Sequence, residues 1–451
     1  MKKMKTIRLM QCFACCLFFM LTSLAVAQSD ILQHTVAAGE TLYGLSRAYG
    51  VSIENIVAAN PGLSAETLQA GKVIRIPRSR AGVTISPVQS AASTSQAAVP
   101  KADVGVAVVL PFTATGVEGE RSVEFYRGFL TATEQIGKEG KRVNLFPYDE
   151  KQTDYSLQET LQKIKAAGVQ LLVGPVYPAH FAEVAVFCRV NRIRMIVPFY
   201  SKAEQVNTNP WVYLVNTPQK FEYEHVADLF LKTFKDCNVA IMHVGDSNNG
   251  PFVSYLRRRL MATDCAVTEF SEQAPLEQMR SACSATKPTV IVPDAADVAA
   301  LSKVLAKMEG FRKYYPSYPL RLFGYPKWLS QADAQAARLQ LCNTYIYTDS
   351  YLNGFDAKTR AFLAAYESNY GEKPLQVWPR MCLLGHDVAQ QVVRGMLRYG
   401  DAFAQQAADA HQLQSAISFE RTEQDGGLVN KSLFFINYKP DGSINKLQEN
   451  R

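Results

Sequence analysis

The chain has 451 residues and carries 48 basic and 41 acidic side chains, a net charge of +7. Four basic and no acidic residues lie within positions 1–27, so the remaining chain has a net charge of +3. A nucleic-acid-binding protein concentrates basic side chains on one face. The only dense basic run is Arg257–Arg259, which is typical of a solvated helix face, so the charge distribution argues against a nucleic-acid partner.

The first 27 residues have the organisation of a secretory signal peptide. A basic start precedes the apolar run Cys12–Met20, and Ala25 and Ala27 form the small-residue pattern that signal peptidase accepts. No cysteine directly follows the run, as a lipidated one would. Since neither this run nor any later stretch is a good membrane span, an uncleaved anchor is the weaker alternative. We expect cleavage near Ala27, no membrane span thereafter, and a location in the periplasm or cell envelope.

Residues 31–78 show a pattern of two short strands and two short helices. His34–Val36 predicts the first strand and Val73–Ile76 predicts the returning strand. Between them, two runs of apolar residues at helical spacing end at Gly50 and at Asn60–Gly62. The predicted order is therefore βααβ.

This stretch resembles the LysM family over nearly its whole length. The resemblance rests on His34–Val36, Gly39–Leu42, Ile56, Asn60–Pro61, Leu68–Gly71 and Ile74–Pro77. LysM modules bind glycans that contain N-acetylglucosamine in a groove between two loops, so the resemblance implies peptidoglycan or a related glycan as a partner. By position, it implies the groove residues Gly39, Glu40, Thr41, Leu42, Asn60, Pro61, Gly62 and Leu63. These residues also suit helix caps and turns.

Residues 79–102 are rich in Ala, Ser, Thr and Gln without apolar periodicity, which predicts a flexible linker. In residues 103–451, apolar strands alternate with helices, which predicts parallel sheets covered on both faces. About 350 residues are more than a single hydrophobic core usually accommodates, so two lobes are expected. The predicted strands are Val106–Leu110, Val143–Phe146, Val169–Val173, Ile193–Val197, Val239–Val244, Thr289–Val292 and Leu320–Phe323.

This alternation of strands and helices over two expected lobes resembles the type I periplasmic binding protein fold, in its amino-acid and branched-chain receptor branch. The marks of the resemblance are Leu110–Phe112, Tyr126–Phe129, Leu172–Pro175, Trp211–Leu214, Thr217–Pro218, Phe362–Tyr370 and Gly385–Asp387. The predicted fold class is therefore α/β, with a small βααβ LysM module followed by a two-lobed type I periplasmic binding protein fold with parallel sheets.

In this fold, ligands bind between the lobes at the carboxyl ends of the strands. The polar residues at those ends are Thr113, Asp149, Tyr177, Ser201, Asp246, Asp294, Lys327 and Asp349. Each of them also suits a loop cap. The family holds its amino acid partly through small hydroxylated residues after Gly-Pro, where this chain has Tyr177–His180, and Asn216 lies near the place of a common arginine. These departures disfavour a free amino acid as the ligand.

The cysteines after residue 27 allow two interpretations. They are even in number, so an exported chain permits disulfides among Cys188, Cys237, Cys265, Cys283, Cys342 and Cys382. Cys237 and Cys265 each precede a strand-like run, which makes a bridge between them one interpretation. Buried free thiols are the other. No C-x-x-C spacing occurs among them, so neither a zinc ribbon nor a thioredoxin-like site is predicted.

The sequence lacks the spacings of common catalytic and metal sites. No histidine pair has H-x-H or H-E-x-x-H spacing, and no G-x-S-x-G or P-loop pattern occurs. Cys382 and His386 lie four residues apart on a predicted helix, a spacing that helix packing also produces. The neighbours Asp149 and Glu150 point to opposite faces of a strand, which disfavours a glycosidase pair. We therefore predict no catalytic residue, no metal and no cofactor.

The leading hypothesis is an exported, non-enzymatic binding protein of the cell envelope. LysM would tether it to peptidoglycan, and the two-lobed domain would recognise a small polar ligand by hinge closure. Because the same fold also serves in lipoprotein activators of peptidoglycan synthases, a regulator that contacts an envelope protein is the second hypothesis. A degenerate wall hydrolase is the third.

Overall fold

The computed structural model describes residues 31–36, 40, 42, 45, 49, 51, 56–57, 59–60, 63, 67–77, 83–85, 103–245 and 250–447. The predicted signal peptide and most of the predicted linker lie outside these residues, and so do Gly39, Thr41, Pro61, Gly62 and Asp246. No helix in the described part of the chain has both the length and the apolar character needed to cross a membrane.

The N-terminal module is a two-stranded antiparallel sheet covered by helical segments. Strand β1, Ile31–Thr35, pairs with strand β2, Val73–Pro77. Between the strands, helical backbone is found at positions 42, 45 and 49 and again at 56, 57 and 59. The predicted βααβ order is confirmed. Its buried apolar residues are Val36, Leu42, Leu45, Tyr49, Ile56, Leu63, Ile74 and Ile76.

The predicted linker contains one described element, strand β3, Val83–Ile85. It lies parallel to Val143–Leu145 at the edge of the first large sheet. The boundaries of the module, the linker and the large domain remain predictions.

The strands and helices of residues 103–447 alternate as the sequence predicts. The strands are β4 Val104–Leu110, β5 Val143–Asp149, β6 Leu171–Val173, β7 Arg194–Val197, β8 Val212–Leu214, β9 Asn238–His243, β10 Val267–Ser271, β11 Thr289–Pro293, β12 Leu320–Gly324, β13 Thr344–Thr348, β14 Phe419–Arg421, β15 Leu428–Asn430, β16 Phe434–Tyr438 and β17 Ile444–Leu447. The helices are α1 Val117–Lys138, α2 Leu157–Ala166, α3 Pro178–Asn191, α4 Gln219–Thr233, α5 Gly250–Leu260, α6 Leu276–Ala282, α7 Val298–Tyr314, α8 Ala336–Leu341, α9 Ala357–Tyr370, α10 Met381–Ala389 and α11 Gly395–Tyr399.

Each lobe is built on its own sheet. Lobe 1 has the strand order β14-β15-β8-β7-β6-β4-β5-β3, in which only the β14–β15 pair is antiparallel. Lobe 2 has the order β10-β9-β11-β12-β13-β16-β17, with antiparallel pairing at β16 and β17. Strands β4–β8 of lobe 1 and strands β9–β13 of lobe 2, each numbered in chain order, follow the same 2-1-3-4-5 arrangement. The prediction of two α/β lobes with parallel sheets is confirmed.

The continuous apolar strands are explained by burial on both faces of the sheets. In β4, Val106 and Val108 pack into one apolar cluster, whereas Ala107 and Val109 pack into the cluster on the opposite face. A strand covered on both sides has no solvent face that requires polar residues. Burial at every position therefore gives β4 its unbroken apolar sequence.

The chain passes between the lobes three times within residues 103–447. The crossing segments are residues 215–218 after β8, 349–356 after β13 and 431–433 after β15.

After the second crossing, α10 packs against α1 of lobe 1. A Cβ atom on Gly128 would lie 1.7 Å from the carbonyl oxygen of Cys382, and one on Gly385 would lie 1.9 Å from that of Phe125. The two helices therefore meet at a distance that only glycine permits.

The described cysteines and the basic run have ordinary structural roles. All six cysteines are free thiols, four of them buried, and no bridge joins Cys237 and Cys265. The Sγ atom of Cys265 lies 3.4 Å from the carbonyl oxygen of Cys237.

Arg257 pairs with Glu269 and Arg259 pairs with Asp228, so the basic run on α5 is a solvated and partly neutralised face.

Candidate functional site

A cavity of about 640 Å³ lies where the carboxyl edge of the lobe 1 sheet meets the crossing segments. Residues that follow β6, β7 and β8 form one wall, and the segment leading into α10 forms another. The apolar lining consists of Val117, Val176, Phe199, Val215, Trp378, Pro379, Met381, Leu384 and Ile417. We call this space the interlobe cavity.

Polar residues line the interlobe cavity from α1, from the first two crossing segments, from the segment that precedes β14 and from β15. They are Glu118, Arg121, Ser122, Asn216, Asp349, Ser350, Ser415 and Asn430. Asn430 ties neighbouring segments together, because its Oδ1 atom accepts hydrogen bonds from the amides of Ser418 and Ser432. The Thr217 hydroxyl donates to the carbonyl oxygen of Asn430, which links the first crossing segment to the third.

Asp349 is the most distinctive polar group of the interlobe cavity. Its Oδ1 atom accepts a hydrogen bond of 2.9 Å from the hydroxyl of Ser350. Burial raises the pKa of Asp349, and burial followed by the charge of Asp349 raises the pKa of nearby Glu222. Among the described residues, no lysine or arginine forms a salt bridge with either carboxyl group. The charged form of such an acidic pair is stabilised when a positive charge lies beside it.

The predicted cleft residues do not all lie at one site in the structure. Among those that the structure describes, only Asp349 lines the interlobe cavity. Asp149 caps a loop, since its carboxylate accepts hydrogen bonds from the amides of Thr113 and Lys151. Tyr177 precedes α3, and its hydroxyl donates to the cavity residue Glu118 over 3.3 Å.

The remaining predicted cleft residues that the structure describes do not line the interlobe cavity. Asp294 accepts a hydrogen bond from the amide of Val244 and contacts His243 Nδ1 at 2.8 Å. Lys327 is exposed in the turn Pro326–Gln331, and Ser201 is half-buried after β7. Asp246 lies outside the described residues. The strand ends of lobe 2 therefore contribute little to the cavity, apart from Asp349.

Several residues of the interlobe cavity are not predicted by the sequence pattern. Arg121 and Ser122 lie in the first turns of α1, which begins at Val117, whereas the apolar spacing of the sequence predicts a helix only over Val123–Ile136. Glu118 and Glu120 at that start are typical of a first helical turn and were the available signal. Trp378 and Ser415 lie in segments to which the sequence pattern assigns no element.

The loop after β6 is fixed by backbone geometry and by a buried carboxylate. Gly174 has a φ angle of 109°, and a Cβ atom there would lie 2.1 Å from the carbonyl oxygen of Val109. Glu150 is buried, accepts a hydrogen bond of 2.7 Å from the amide of Val176 and lies 3.1 Å from His180 Nδ1. Glu150 therefore holds one wall of the interlobe cavity in place.

Cys382 and His386 serve packing. The backbone amide of Cys382 donates to buried Glu124, and burial raises the pKa of the Cys382 thiol. A neutral, enclosed thiol is a poor nucleophile. His386 is buried against Asp387 and Gln135. No cluster of metal-ligating side chains occurs in the part of the chain that the structure describes.

The described residues of the predicted LysM groove are engaged within the module itself. Glu40 pairs with His34 at 2.6 Å. The side chain of Asn60 donates to the carbonyl oxygen of Arg75 and accepts from its amide, at 2.5 and 2.6 Å. Leu42 and Leu63 are buried in the module core. These side chains shape the two loops, so a glycan contact there would fall to backbone groups.

Both parts of the chain are similar to known proteins. Residues 34–77 match the LysM domain. Full-length LpoA from Haemophilus influenzae is similar in structure, with a TM-score of 0.50 and 13% identity over 77% of this chain and 60% of that chain. A branched chain amino acid ABC transporter periplasmic ligand-binding protein from Burkholderia xenovorans gives a TM-score of 0.47, with 14% identity over 76% of this chain and 94% of that chain. LivJ from Streptococcus pneumoniae, in complex with isoleucine, gives 0.38, with 15% identity over 77% and 100%.

No curated protein sequence matches the chain. At these levels of identity, the structural likeness concerns the fold. The chain therefore contains a LysM domain at residues 34–77, followed by a two-lobed domain with the type I periplasmic binding protein fold.

Proposed function

We propose that this protein is an exported, non-enzymatic binding protein of the cell envelope. LysM holds it at peptidoglycan or another glycan that contains N-acetylglucosamine, and the two-lobed domain binds a small polar ligand in the interlobe cavity. The observation that carries the proposal is the formed cavity of about 640 Å³ beside the crossing segments, with Asp349 in its wall.

The lining of the interlobe cavity defines the class of ligand. Phe199 and Val215 offer apolar contact and Asp349 offers a carboxylate, whereas the exposed residues Glu118 and Arg121 carry opposite charges. A carboxylate that loses its water needs a compensating charge or hydrogen bonds. The ligand is therefore a small molecule with an apolar body and an amine or another cationic group.

A ligand in the interlobe cavity would contact the crossing segments and could therefore change the angle between the two lobes. Val215, Asp349 and Asn430 lie at the start of each crossing segment or next to it, and all three line the cavity. A ligand that contacts such segments favours one hinge angle over another by its difference in affinity for the two states. Lobe closure is thus the expected response to binding.

A melting scan of the purified chain tests the ligand proposal. Amino acids, small peptides, amines and muropeptides are added at high concentration, and an amine-bearing compound at 100 times its Kd stabilises the folded chain by about 2.7 kcal/mol. Asp349→Asn is expected to abolish the rise in Tm, whereas the control Asp294→Asn retains it. The proposal fails when no amine-bearing compound raises Tm, or when Asp349→Asn keeps the full shift.

Binding to isolated peptidoglycan sacculi tests the tether. Deletion of residues 31–78 is expected to abolish co-sedimentation of the chain with sacculi, because the LysM domain lies in this stretch. Retention of full binding by the deletion variant contradicts the tether. Signal-peptide cleavage is checked by N-terminal sequencing of the exported chain, which is expected to begin near Gln28.

Regulation of peptidoglycan synthesis through protein contacts is the second candidate function. It is favoured by Phe355, which is 89% exposed on the second crossing segment. Phe355 lines a second concavity together with Ile444, and a patch of exposed apolar side chains is typical of an interaction site. Co-purification of the chain with a peptidoglycan synthase, together with a melting scan without hits, supports this candidate over the first. The third hypothesis, a degenerate wall hydrolase, has no arrangement of described side chains in its favour.

A further inference from the structure

A second concavity, of about 420 Å³, lies apart from the interlobe cavity. We call it the hinge groove. One side is formed by Tyr351 and Phe355 of the second crossing segment and the other by Ile444 and Lys446 of β17, with Leu413 also in its wall. None of these residues lines the interlobe cavity, so the groove is a separate surface.

The hinge groove exposes apolar groups. Phe355 is 89% exposed and Ile444 is 40% exposed, although each is a large apolar side chain. Burying such groups against a partner removes apolar surface from water, at about 25 cal/mol per Å². Exposed apolar side chains around a concavity are therefore a favourable place for a partner.

The strand on one side of the groove is also a sheet edge. Strand β17 pairs with β16 and is the last strand of the lobe 2 sheet in the described part of the chain. Ile444 and Lys446 are two residues apart and therefore point to the same face, the one that lines the groove. An extended segment that pairs with β17 would place alternate side chains over this groove.

The charge of the groove selects the chemistry of that segment. The Nζ atom of Lys446 lies 3.9 Å from the centre of the Phe434 ring, and desolvation lowers the pKa of Lys446 to about 8. Asp356, which also lines the groove, already caps α9 by accepting hydrogen bonds from Thr359. No carboxylate among the described residues forms a salt bridge with Lys446. The groove thus offers a partly desolvated cation beside apolar surface.

We propose that the hinge groove binds an extended segment of an envelope protein partner, which adds to the outer edge of β17. The segment places an acidic side chain against Lys446 and an apolar side chain, two residues away, between Ile444 and Phe355. This proposal does not depend on a ligand in the interlobe cavity.

Charge complementarity disfavours two other occupants. A second copy of this chain, paired through β17 on both sides, would bring two strands that each carry Lys446 against one another, and like charges on paired strands are unfavourable. Residues 86–102 of this chain contain no aspartate or glutamate, so they cannot supply the acidic side chain. A foreign acidic segment meets both requirements.

A peptide selection on the purified full chain tests the proposal. A random peptide library displayed on phage is selected on the chain and counter-selected on the double variant Ile444→Glu/Lys446→Glu. The enriched peptides are expected to carry an acidic and an apolar residue two positions apart. In fluorescence anisotropy, Lys446→Glu is expected to raise their Kd at least tenfold, whereas the exposed control Lys313→Glu leaves it unchanged.

The pH dependence of peptide affinity distinguishes a Lys446 contact from a general basic surface. Tyr351, Asp356 and Lys358 are the other titratable groups of the groove, and Asp387 acts on Lys446 from the protein interior. Affinity is expected to fall between pH 7 and 9 in the parent chain and to persist in Lys446→Arg. The proposal is overturned when no peptide is enriched over the double variant, or when Lys446→Glu binds the enriched peptides with unchanged affinity. An unchanged Tm for each variant verifies folding.

Discussion

Lobe 1 and lobe 2 arrange five of their strands, β4–β8 and β9–β13, in the same order but use the carboxyl edges of these strands differently. In lobe 1, residues after β6, β7 and β8 line the interlobe cavity. In lobe 2, Asp294 at the corresponding edge is occupied by the amide of Val244 and by His243. Topology therefore locates the edge at which ligands can bind, whereas local hydrogen bonding decides which polar side chains remain available.

The lobes also differ in how closely their helices pack. In lobe 1, Gly128 of α1 touches the backbone of α10, which carries cavity residues at its start. In lobe 2, Gly310 of α7 has no atom within 4 Å of the position that a Cβ would take. The helix pair beneath the interlobe cavity thus tolerates less change than the outer helix of lobe 2.

The largest expected effect is that of Gly128→Ala. The added Cβ would overlap the carbonyl oxygen of Cys382, so α1 and α10 must separate, at a cost of about 3 kcal/mol in the free energy of unfolding. Urea denaturation measures this loss. In the matched control, Gly310→Ala, the chain is expected to gain about 0.5–1 kcal/mol, because alanine stabilises a helix interior relative to glycine. Equal effects of the two substitutions would show that the helix pair is not tight.

A smaller difference is expected between the carboxylates at the two strand edges. Asp294→Ala removes a buried acceptor from the amide of Val244 and is expected to cost about 2 kcal/mol. Asp149→Ala frees the amide of Thr113 to contact water and is expected to cost about 1 kcal/mol. Urea denaturation of both variants ranks them, and a larger loss for Asp149→Ala would contradict the assigned roles.

The smallest expected effect is a pH dependence of the free energy of unfolding that arises from His243 in lobe 2. Contacts with Asp294 and then Glu269 raise the pKa of His243. A raised folded-state pKa means that this stabilisation is fully present below the ordinary pKa of histidine and is lost as the pH rises through the raised value. Since His243 is 45% exposed, the loss is expected to stay below about 1 kcal/mol. Unfolding free energies at pH 5.5 and 8.5 are compared with those of His243→Gln, which is expected to lack this component. If the free energy of unfolding depends on pH identically in both chains, His243 does not contribute to this dependence.

The sequence was sufficient for the fold because its signals are local and repeated. Unbroken apolar strands such as β4, followed by helices, predict parallel sheets covered on both faces. The LysM pattern in residues 34–77 is likewise local, and its match confirms the prediction. Helix ends were less exact: α1 starts at Val117 rather than near Val123, because its first turns are polar and exposed.

The candidate site was harder to predict, because it depends on contacts between distant segments. Asp149 and Asp294 occur at strand ends as a ligand contact would, but each binds a nearby backbone amide. Trp378 and Ser415 reach the interlobe cavity only because the chain returns to lobe 1 after β13. No spacing in the sequence shows such a return, and Asp349 is the one described residue of the predicted cleft that lines the cavity.

Hydrogen–deuterium exchange of the purified chain tests most directly the claim that recognition occurs at the crossing segments. Exchange is compared with and without the compound that gives the largest rise in Tm. We predict slower exchange in residues 215–218, 349–356 and 415–417, with little change around Asp294 and Lys327 in lobe 2. Protection confined to the strand ends of lobe 2, with unchanged exchange in the crossing segments, would contradict the claim.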